Sequence, residues 1–382
     1  MRFEEAYDGY RSQRLTQGEA ATLLGVCDRS FRRYIDRYED DGLEGLLDKR
    51  MSEVSHRRAP VDEVMALTAL YRERYDGWNV RHFHHWYQRE HDGARCYTWV
   101  KNQLQAARLV PRSKTRGPHR KKRLPAALPG MMLHQDGSTH QWVPGQYWDL
   151  IVTMDDATNE HYSMRFVEQE GTHSSFLGIR DVIEQNGLFC SLYTDRGSHY
   201  WTTPEVGGKV DKSNLTQMGE ALKRLGIEMI AAYSPEARGR SERAFGTHQG
   251  RLPHELALKG ITDIESANTY LKDYYMPAFN AQFSHAARES GSAFVPLAGV
   301  DLNDYLCERY ERTVTRDNCV KIDNLELQIP ADIHRHHYVK ARVQVLRHLN
   351  QSLSIYHGPR RLGRYTKAGE LIQEVKENRK AA

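Results

Sequence analysis

The sequence predicts a multidomain chain with an all-α amino-terminal part of helix-turn-helix character, a central α/β domain on a mixed five-stranded sheet, and a small β-barrel at the carboxyl end. Three observations predict it. Helical periodicity with cap signals runs to about residue 110; from 131 to 285 short β-branched runs alternate with helical ones; beyond 316 short strands are separated by turn dipeptides. The length of 382 residues, 39% hydrophobic and 27% charged, suits two to four domains with real cores and excludes a disordered polyelectrolyte. The expected divisions are 1–55, 56–110, a basic linker 111–130, a core 131–285, a connector 286–315 and a basic β domain 316–382.

In the first block, Thr16-Gln17-Gly18-Glu19 carries the signature of a capping box, followed by Ala20, Ala21, Leu23 and Leu24. A Gly25-Val26 turn leads to a second helix through Phe31, Tyr34, Ile35 and Tyr38. In a helix-turn-helix the second helix enters the major groove, which makes Arg29, Ser30, Arg32 and Arg33 the candidate readers. A plain helical hairpin fits the same pattern. A second block repeats the logic over Val61–Tyr75, Asn79–Glu90 and Tyr97–Ala107, with Asp76-Gly77 and Asp92-Gly93 as breaks; its third helix offers Thr98, Lys101, Asn102 and Gln105 on one face. His82, His84, His85 and His91 lie near Cys96, but no second cysteine stands at zinc spacing. The five cysteines are widely separated and are read as reduced thiols.

Net charge is only +4, yet its distribution is uneven. Residues 101–130 hold nine Lys or Arg and no acid, and residues 333–369 hold eight, again with no acid. Such stretches suit phosphate neutralisation. The first ends in four prolines and two glycines over 111–130, which prevent regular structure, so Arg112, Lys114, Arg116, Arg120, Lys121, Lys122 and Arg123 are expected to tether two domains along a phosphate backbone. Uncharged runs such as 124–135 and 137–148 are too short for a membrane helix, which needs roughly 17 residues or more. The first residues mix acids and bases with no apolar segment behind them, so a cytoplasmic protein is expected.

Past the linker, Met131–Ser138, Tyr147–Asp156 and His161–Glu168 read as an antiparallel meander. A helix (His173–Gln185), a strand (Phe189–Asp195), a helix (Asn214–Leu225), a strand (Glu228–Tyr233) and one long helix (Arg240–Leu258) follow. Asp136 and Asp195 end strands in polar settings and converge if the first and fourth strands are neighbours. Glu242 is expected in the first turn of the long helix, after a loop ended by Pro235 and Gly239. Phe245 and Gln249 fall near its face, with Arg240, Arg243, Thr247 and Arg251 along an adjacent edge; the three arginines and Gln249 are the expected DNA contacts. Three converging carboxylates repel one another unless cations sit among them. Hard divalent ions, Mg²⁺ or Mn²⁺, meet that need, and a pair of them supports in-line phosphoryl transfer.

His-Gln-Asp136, Thr-Asp195-Arg-Gly-Ser and Ser-Pro-(x)3-Gly-Arg-Ser-Glu242-Arg resemble the three acidic motifs of DDE transposases and retroviral-type integrases, over about Met131–Phe283. The resemblance implies an RNase H-like core with Asp136, Asp195 and Glu242 as catalytic metal ligands for two ions. With two helix-turn-helix blocks ahead of it, the chain is similar to bacterial insertion-sequence transposases of the ISNCY group and more loosely to the phage Mu transposase. It departs from retroviral integrases in a longer Asp195–Glu242 interval and in lacking their amino-terminal zinc motif. The implied activity is recognition of terminal inverted repeats, cleavage at the element's ends and joining of the 3′-hydroxyl to target DNA, by a dimer or higher homo-oligomer on the bacterial nucleoid. A domesticated DNA-binding regulator without catalysis is the alternative. Asp155 and Asp156 stand nearby, where a hydrogen-bonding role competes with metal contact. For His199 and Trp201, contact with a DNA end competes with an ordinary exposed loop. The strands Cys319–Ile322, Leu325–Ile329, Tyr338–Leu346 and Leu353–Tyr356 resemble the barrel after the Mu-like core, and its basic residues suit nonspecific DNA contact.

Overall fold

In the computed structural model, residues 2–48, 59–112, 124–205, 208–233 and 235–373 are described. Lys114, Arg116, Arg120, Lys121, Lys122 and Arg123 lie outside them. The chain divides into two compact units, Met1–Asp76 with Thr98–Leu109, and Gly77–Tyr97 with Val110–Ala382.

Ahead of the sheet the described helices are α1 (Phe3–Arg11), α2 (Gln17–Leu23), α3 (Asp28–Gly45), α4 (Val61–Arg74), α5 (Val80–Glu90) and α6 (Tyr97–Ala106). Thr16 caps α2 as its sequence requires. Its hydroxyl accepts from Glu19 N, and the Glu19 carboxylate accepts from Thr16 N at 2.7 Å. Gly25 takes the left-handed conformation, φ +71°, that turns the chain into α3. Ala6, Ala20, Ala21, Phe31 and Ile35 pack between α1, α2 and α3. Arg29, Arg32 and Arg33 are left exposed on α3, while Ser30 is half-buried beside Cys27 Sγ at 3.3 Å. In the same unit Leu67 and Tyr71 of α4 and Val100 and Leu104 of α6 are buried. Helix α5, the middle helix of the second sequence block, groups with the other unit. Asn79 caps it, and its His82 is bound to a core carboxylate, Glu255.

The central sheet has the order β3-β2-β1-β4-β5, with β1 (Leu133–Val143), β2 (Gln146–Asp155), β3 (His161–Val167), β4 (Ser191–Thr194) and β5 (Glu228–Ala231). β1, β2 and β3 pair antiparallel, and β1–β4 and β4–β5 pair parallel. Both faces are covered, which is why β2 is buried continuously from Trp148 to Asp155. On one face α7 (Thr172–Asn186) and α8 (Gln217–Arg224) bring Phe176, Ile179, Val182, Met218 and Leu222 onto Leu133 and Leu192. On the other, α9 (Pro235–Gln249), α10 (Leu252–Lys259), α11 (Ile264–Tyr270) and α12 (Met276–Phe283), the last two joined by a π-helical turn over Leu271–Tyr275, bring Phe245, Leu252, Leu256, Leu271 and Phe279 onto Trp142, Leu150, Val152, Met154 and Phe166. The single helix expected over Arg240–Leu258 is two, broken at Gly250-Arg251. Because α9 already starts at Pro235, Glu242 stands beyond its first turn.

The carboxyl-terminal part corrects the barrel expectation. β6 (Glu308–Thr313), β9 (Arg342–Arg347), β10 (Leu353–His357) and β11 (Arg360–Tyr365) form an open sheet of order β11-β10-β9-β6, and β7 (Cys319–Ile322) and β8 (Leu325–Gln328) pair with each other. β6 and β11 stay on opposite edges, so the sheet does not close. Its core, Val320, Ile322, Leu327, Val343, Val345, Leu353, Ile355 and Tyr365, unites sheet and hairpin. No helix among the described residues is long and apolar enough to cross a membrane.

Candidate active site

The parallel pairing of β1 and β4 matches Leu133 with Leu192 and His134 with Tyr193. Two residues further on, the same register brings Asp136 level with Asp195, which directly follows β4; Asp136 itself does not end its strand as expected, because β1 continues past it to Val143 in its pairing with β2. Asp136 is buried and Asp195 half-buried. Asp136 Oδ1 accepts from Gly137 N at 3.1 Å, and Asp195 Oδ1 from Gly197 N at 2.9 Å.

Beneath the pair lies a satisfied polar floor. Gln135 donates to Thr153 Oγ1 and to Ser175 O, both at 3.0 Å, and accepts from the Tyr200 hydroxyl at 3.0 Å. Burial, and then the charges of Glu170, Asp136 and Asp195, push the Tyr200 hydroxyl well above the usual range, so it stays a donor. Trp201 donates its indole N–H to Thr194 Oγ1 at 2.9 Å. Trp201 is thus a buried brace of the loop after β4, not a residue facing DNA. His199 is half-buried between two acids: its Nε2 is 3.5 Å from Glu170 Oε1, and burial lowers its pKa against the charge of Asp195. Glu170 itself was missed by sequence reasoning. Its carboxylate lies directly against Gly137, and the rule that found Asp136, an acid in a polar setting near the end of a strand, also points to Glu170.

Glu242 is exposed on α9, whose buried face is Ser241, Phe245 and His248. Among the described residues no three His, Cys, Asp or Glu side chains are gathered closely enough to hold one metal ion. The sheet therefore brings Asp136 and Asp195 together, and Glu242 is not clustered with them. The other predicted contacts on this helix divide. Arg243 is exposed. Arg240 instead meets Asp156, with Nε 3.2 Å from Oδ1. Gln249 donates to Ser138 Oγ on β1 at 2.9 Å. Arg251 is buried, donates to Gln282 at 2.7 Å and lies over the Phe283 ring. Asp155 and Asp156 are fully buried hydrogen-bond acceptors, Asp155 for Gly130 N and the Thr158 N–H and hydroxyl. Lys101 and Gln105 are half-buried on α6, and Asn102 and Arg112 are exposed.

A helix-turn-helix domain family matches residues 10–53, the stretch that holds α2 and α3. A putative transposase, y4bF of Sinorhizobium fredii, is 31% identical over 308 residues, 79% of this chain and 66% of its own length. The chain belongs to the transposase family. The transposase for insertion sequence IS1202 of Streptococcus pneumoniae is 28% identical over 261 residues, 66% of this transposase and 56% of its own length. This transposase thus spans about two thirds of the first relative and little more than half of the second. Among solved structures, a chain of the simian T-cell lymphotropic virus intasome aligns with 13% identity and a TM-score of 0.35, over 74% of this transposase and 92% of that chain. The HTLV-2 integrase catalytic core domain in complex with magnesium aligns with 17% identity and a TM-score of 0.29, over 37% and 83%.

Proposed function

We propose that this transposase binds the terminal inverted repeats of an insertion sequence, cleaves the phosphodiester at each end and joins the freed 3′-hydroxyl to target DNA. The observation that carries the reading is the side-by-side placement of Asp136 and Asp195 on the adjacent interior strands β1 and β4, level in the parallel register. Carboxylate oxygens at adjacent positions suit hard divalent cations, Mg²⁺ or Mn²⁺. Asp136 and Asp195 would hold such ions; Glu242, the third ligand that the motifs imply, stands exposed on α9 and apart from them. When bound, the ions supply charge stabilisation to the attacking and leaving oxygens of an in-line displacement.

The chain's own residues position the DNA. The exposed Arg29, Arg32 and Arg33 on α3 carry the readout of the repeats, with Ser30 beside them; Lys101, Asn102 and Gln105 on α6 are the second reading face. Arg112 and the linker cations track phosphates, as does Arg243 beside the site. Gln135 and Tyr200 keep the two aspartates fixed, so little reorganisation is needed when the phosphodiester arrives. Two ends joined in one event call for a homo-oligomer, a dimer or higher, on DNA.

The test is a cleavage and strand-transfer assay on a labelled terminal-repeat duplex with Mg²⁺, native chain against Asp195→Asn, with duplex binding measured separately. Cleavage lost in the variant while binding persists is the expected result. Binding without cleavage by either protein would favour the DNA-binding regulator instead.

A further inference from the structure

We propose that the large cleft beside β3 is a docking groove for an extended lysine- and arginine-rich segment of a partner protein. β3 is an edge strand, two places removed from β1 in the sheet, and neither Asp136 nor Asp195 lines the cleft.

α7 covers one face of the sheet beside β3 and α11 the other, and between these helices a cleft of about 1080 Å³ opens over the strand. That exceeds the roughly 300 to 1,000 Å³ of small-molecule pockets and suits a length of polypeptide. Its floor is apolar: Met164 and Phe166 are buried there, and Leu177, Ile264 and Met276 are half-buried around them. The wall on the side of α11 is fixed to the strand. The Asn268 amide donates to Phe166 O at 2.9 Å, and its oxygen accepts from Phe166 N at 2.7 Å. A groove held in this way is preorganised, so little ordering of the protein opposes docking.

Charge identifies the occupant. The lining carries five acids, Glu168, Asp181, Glu184, Glu265 and Glu308, against Arg165 and Lys272. On a chain of net charge +4 this is a local reversal of sign. Arg165 is committed already, since its Nε and Nη2 each donate to Asp181 at 2.7 Å. Glu184 and Glu308 each meet one arginine from outside the cleft, Arg180 and Arg347. Glu168, just past β3, and Glu265, in the first turn of α11, are exposed on the rim. Such a field repels phosphates, which excludes DNA, and draws cations in. A lysine or arginine matches both parts of the surface: its aliphatic stem lies on the apolar floor while its charged end reaches a carboxylate. A thin polyamine would leave that floor uncovered, whereas a polypeptide with repeated cations covers it.

The probe is a fluorescein-labelled peptide of alternating Lys and Val, with a Glu and Val counterpart, titrated against the full chain and read by anisotropy. The Lys peptide should bind and the Glu peptide should not. The double variant Glu168→Gln with Glu265→Gln should weaken the Lys peptide by about fivefold, as the loss of two exposed charge pairs requires. Lys272→Glu, which replaces the opposing base, should tighten it by about threefold, a gain that misfolding does not produce. Glu326→Gln, on β8 and outside the cleft, should change nothing, which separates the groove from overall charge. Terminal-duplex affinity of the double variant should stay within about twofold. Peptide binding that ignores the double variant and Lys272→Glu would overturn the proposal. So would spermine binding as tightly as the peptide with the same dependence on these residues, which would make the cleft a polyamine site. Duplex binding more than about twofold tighter in the double variant would show that the cleft faces DNA. Self-association of the native chain in sedimentation, abolished in the double variant, would assign the groove to a second copy instead.

Discussion

His161 on β3 and His248 on α9 share a hydrogen bond, Nε2 to Nε2 at 3.1 Å, at a point buried from solvent. The partners fix the tautomers. His161 Nδ1 faces the Asn159 carbonyl at 3.0 Å and must donate, so its Nε2 accepts from His248. His248 Nδ1 then accepts from the Tyr275 hydroxyl at 3.0 Å. Burial raises that hydroxyl well above the usual range and keeps it a donor. The arrangement needs both rings neutral, and it clasps the helix of Glu242 to the sheet.

Acid should undo this clasp. Burial lowers His161 from 6.5 to about 4, and burial, then the neighbouring His161 and Arg251, lowers His248 well below its usual value. Between about pH 6.5 and 4 the unfolded chain therefore binds protons that the folded one refuses. The stabilisation is full above pH 6.5 and is lost as pH falls towards 4, by on the order of 1 to 3 kcal/mol. Thermal melting across that window should show the fall, and His248→Gln should flatten it. Equal slopes in the two proteins would place the acid sensitivity elsewhere.

The neighbouring register of Asp136 and Asp195 leads to a second expectation. Asp136→Asn and Asp195→Asn should each slow terminal cleavage by about a thousandfold, equivalent to about 4 kcal/mol of transition-state stabilisation. Melting temperature and duplex affinity should change little, since neither carboxylate braces the floor formed by Gln135, Ser175 and Tyr200. Single-turnover rates beside binding isotherms would check it.

The strands that carry Asp136 and Asp195 could be read from residues alone, because apolar β-branched runs such as Leu-Ile-Val-Thr-Met are local signals, whereas the polar continuation of β1 past Asp136 to Val143 hid its strand character. The environments of the arginines are not local. Arg240 finds Asp156 84 residues away in sequence, and Arg251 finds Gln282 across the α10–α12 layer. A cation in a helical pattern looks the same whether its partner is a buried carboxylate or a phosphate. β6 and β11 were missed for a related reason: Glu-Arg-Tyr-Glu-Arg-Thr and Arg-Arg-Leu-Gly-Arg-Tyr are charged edge strands, which protects them from pairing with other chains and hides their strand character.

The exposed α3 cations should behave differently from the buried one. Each of Arg29→Ala, Arg32→Ala and Arg33→Ala should reduce the salt dependence of duplex binding by about one unit of slope if it meets a phosphate, or cost about 1 to 3 kcal/mol of discrimination if it meets a base. Arg251→Ala should leave the salt slope unchanged and lower stability by about 2 to 4 kcal/mol, because it removes packing on Phe283 and strands Gln282. Binding titrations at several salt concentrations, with melting curves, separate the two classes. A reduced slope for Arg251→Ala would return that residue to the DNA-facing set.

Gly178 offers the most direct test of whether the floor matters to the aspartates. A Cβ added there, on α7, would stand 2.7 Å from Gln135 Nε2 and 3.1 Å from Thr153 Oγ1. The amide of Gln135 is buried and already committed to Thr153, Ser175 and Tyr200, so it cannot yield without losing a bond. Gly178→Ala should therefore cost about 1 to 3 kcal/mol through overpacking, despite the better helix propensity of alanine. Gln135 immediately precedes Asp136, so the same displacement should lower the cleavage rate of the folded protein by about tenfold or more, while terminal-duplex binding through the separate amino-terminal unit is kept. Gly178→Ser, of similar size at Cβ, should repeat the loss, whereas alanine at Gly239, where no atom lies within 4 Å of the added carbon, should not. A folded Gly178→Ala protein that cuts at the native rate would show that the aspartates are held by the sheet register alone.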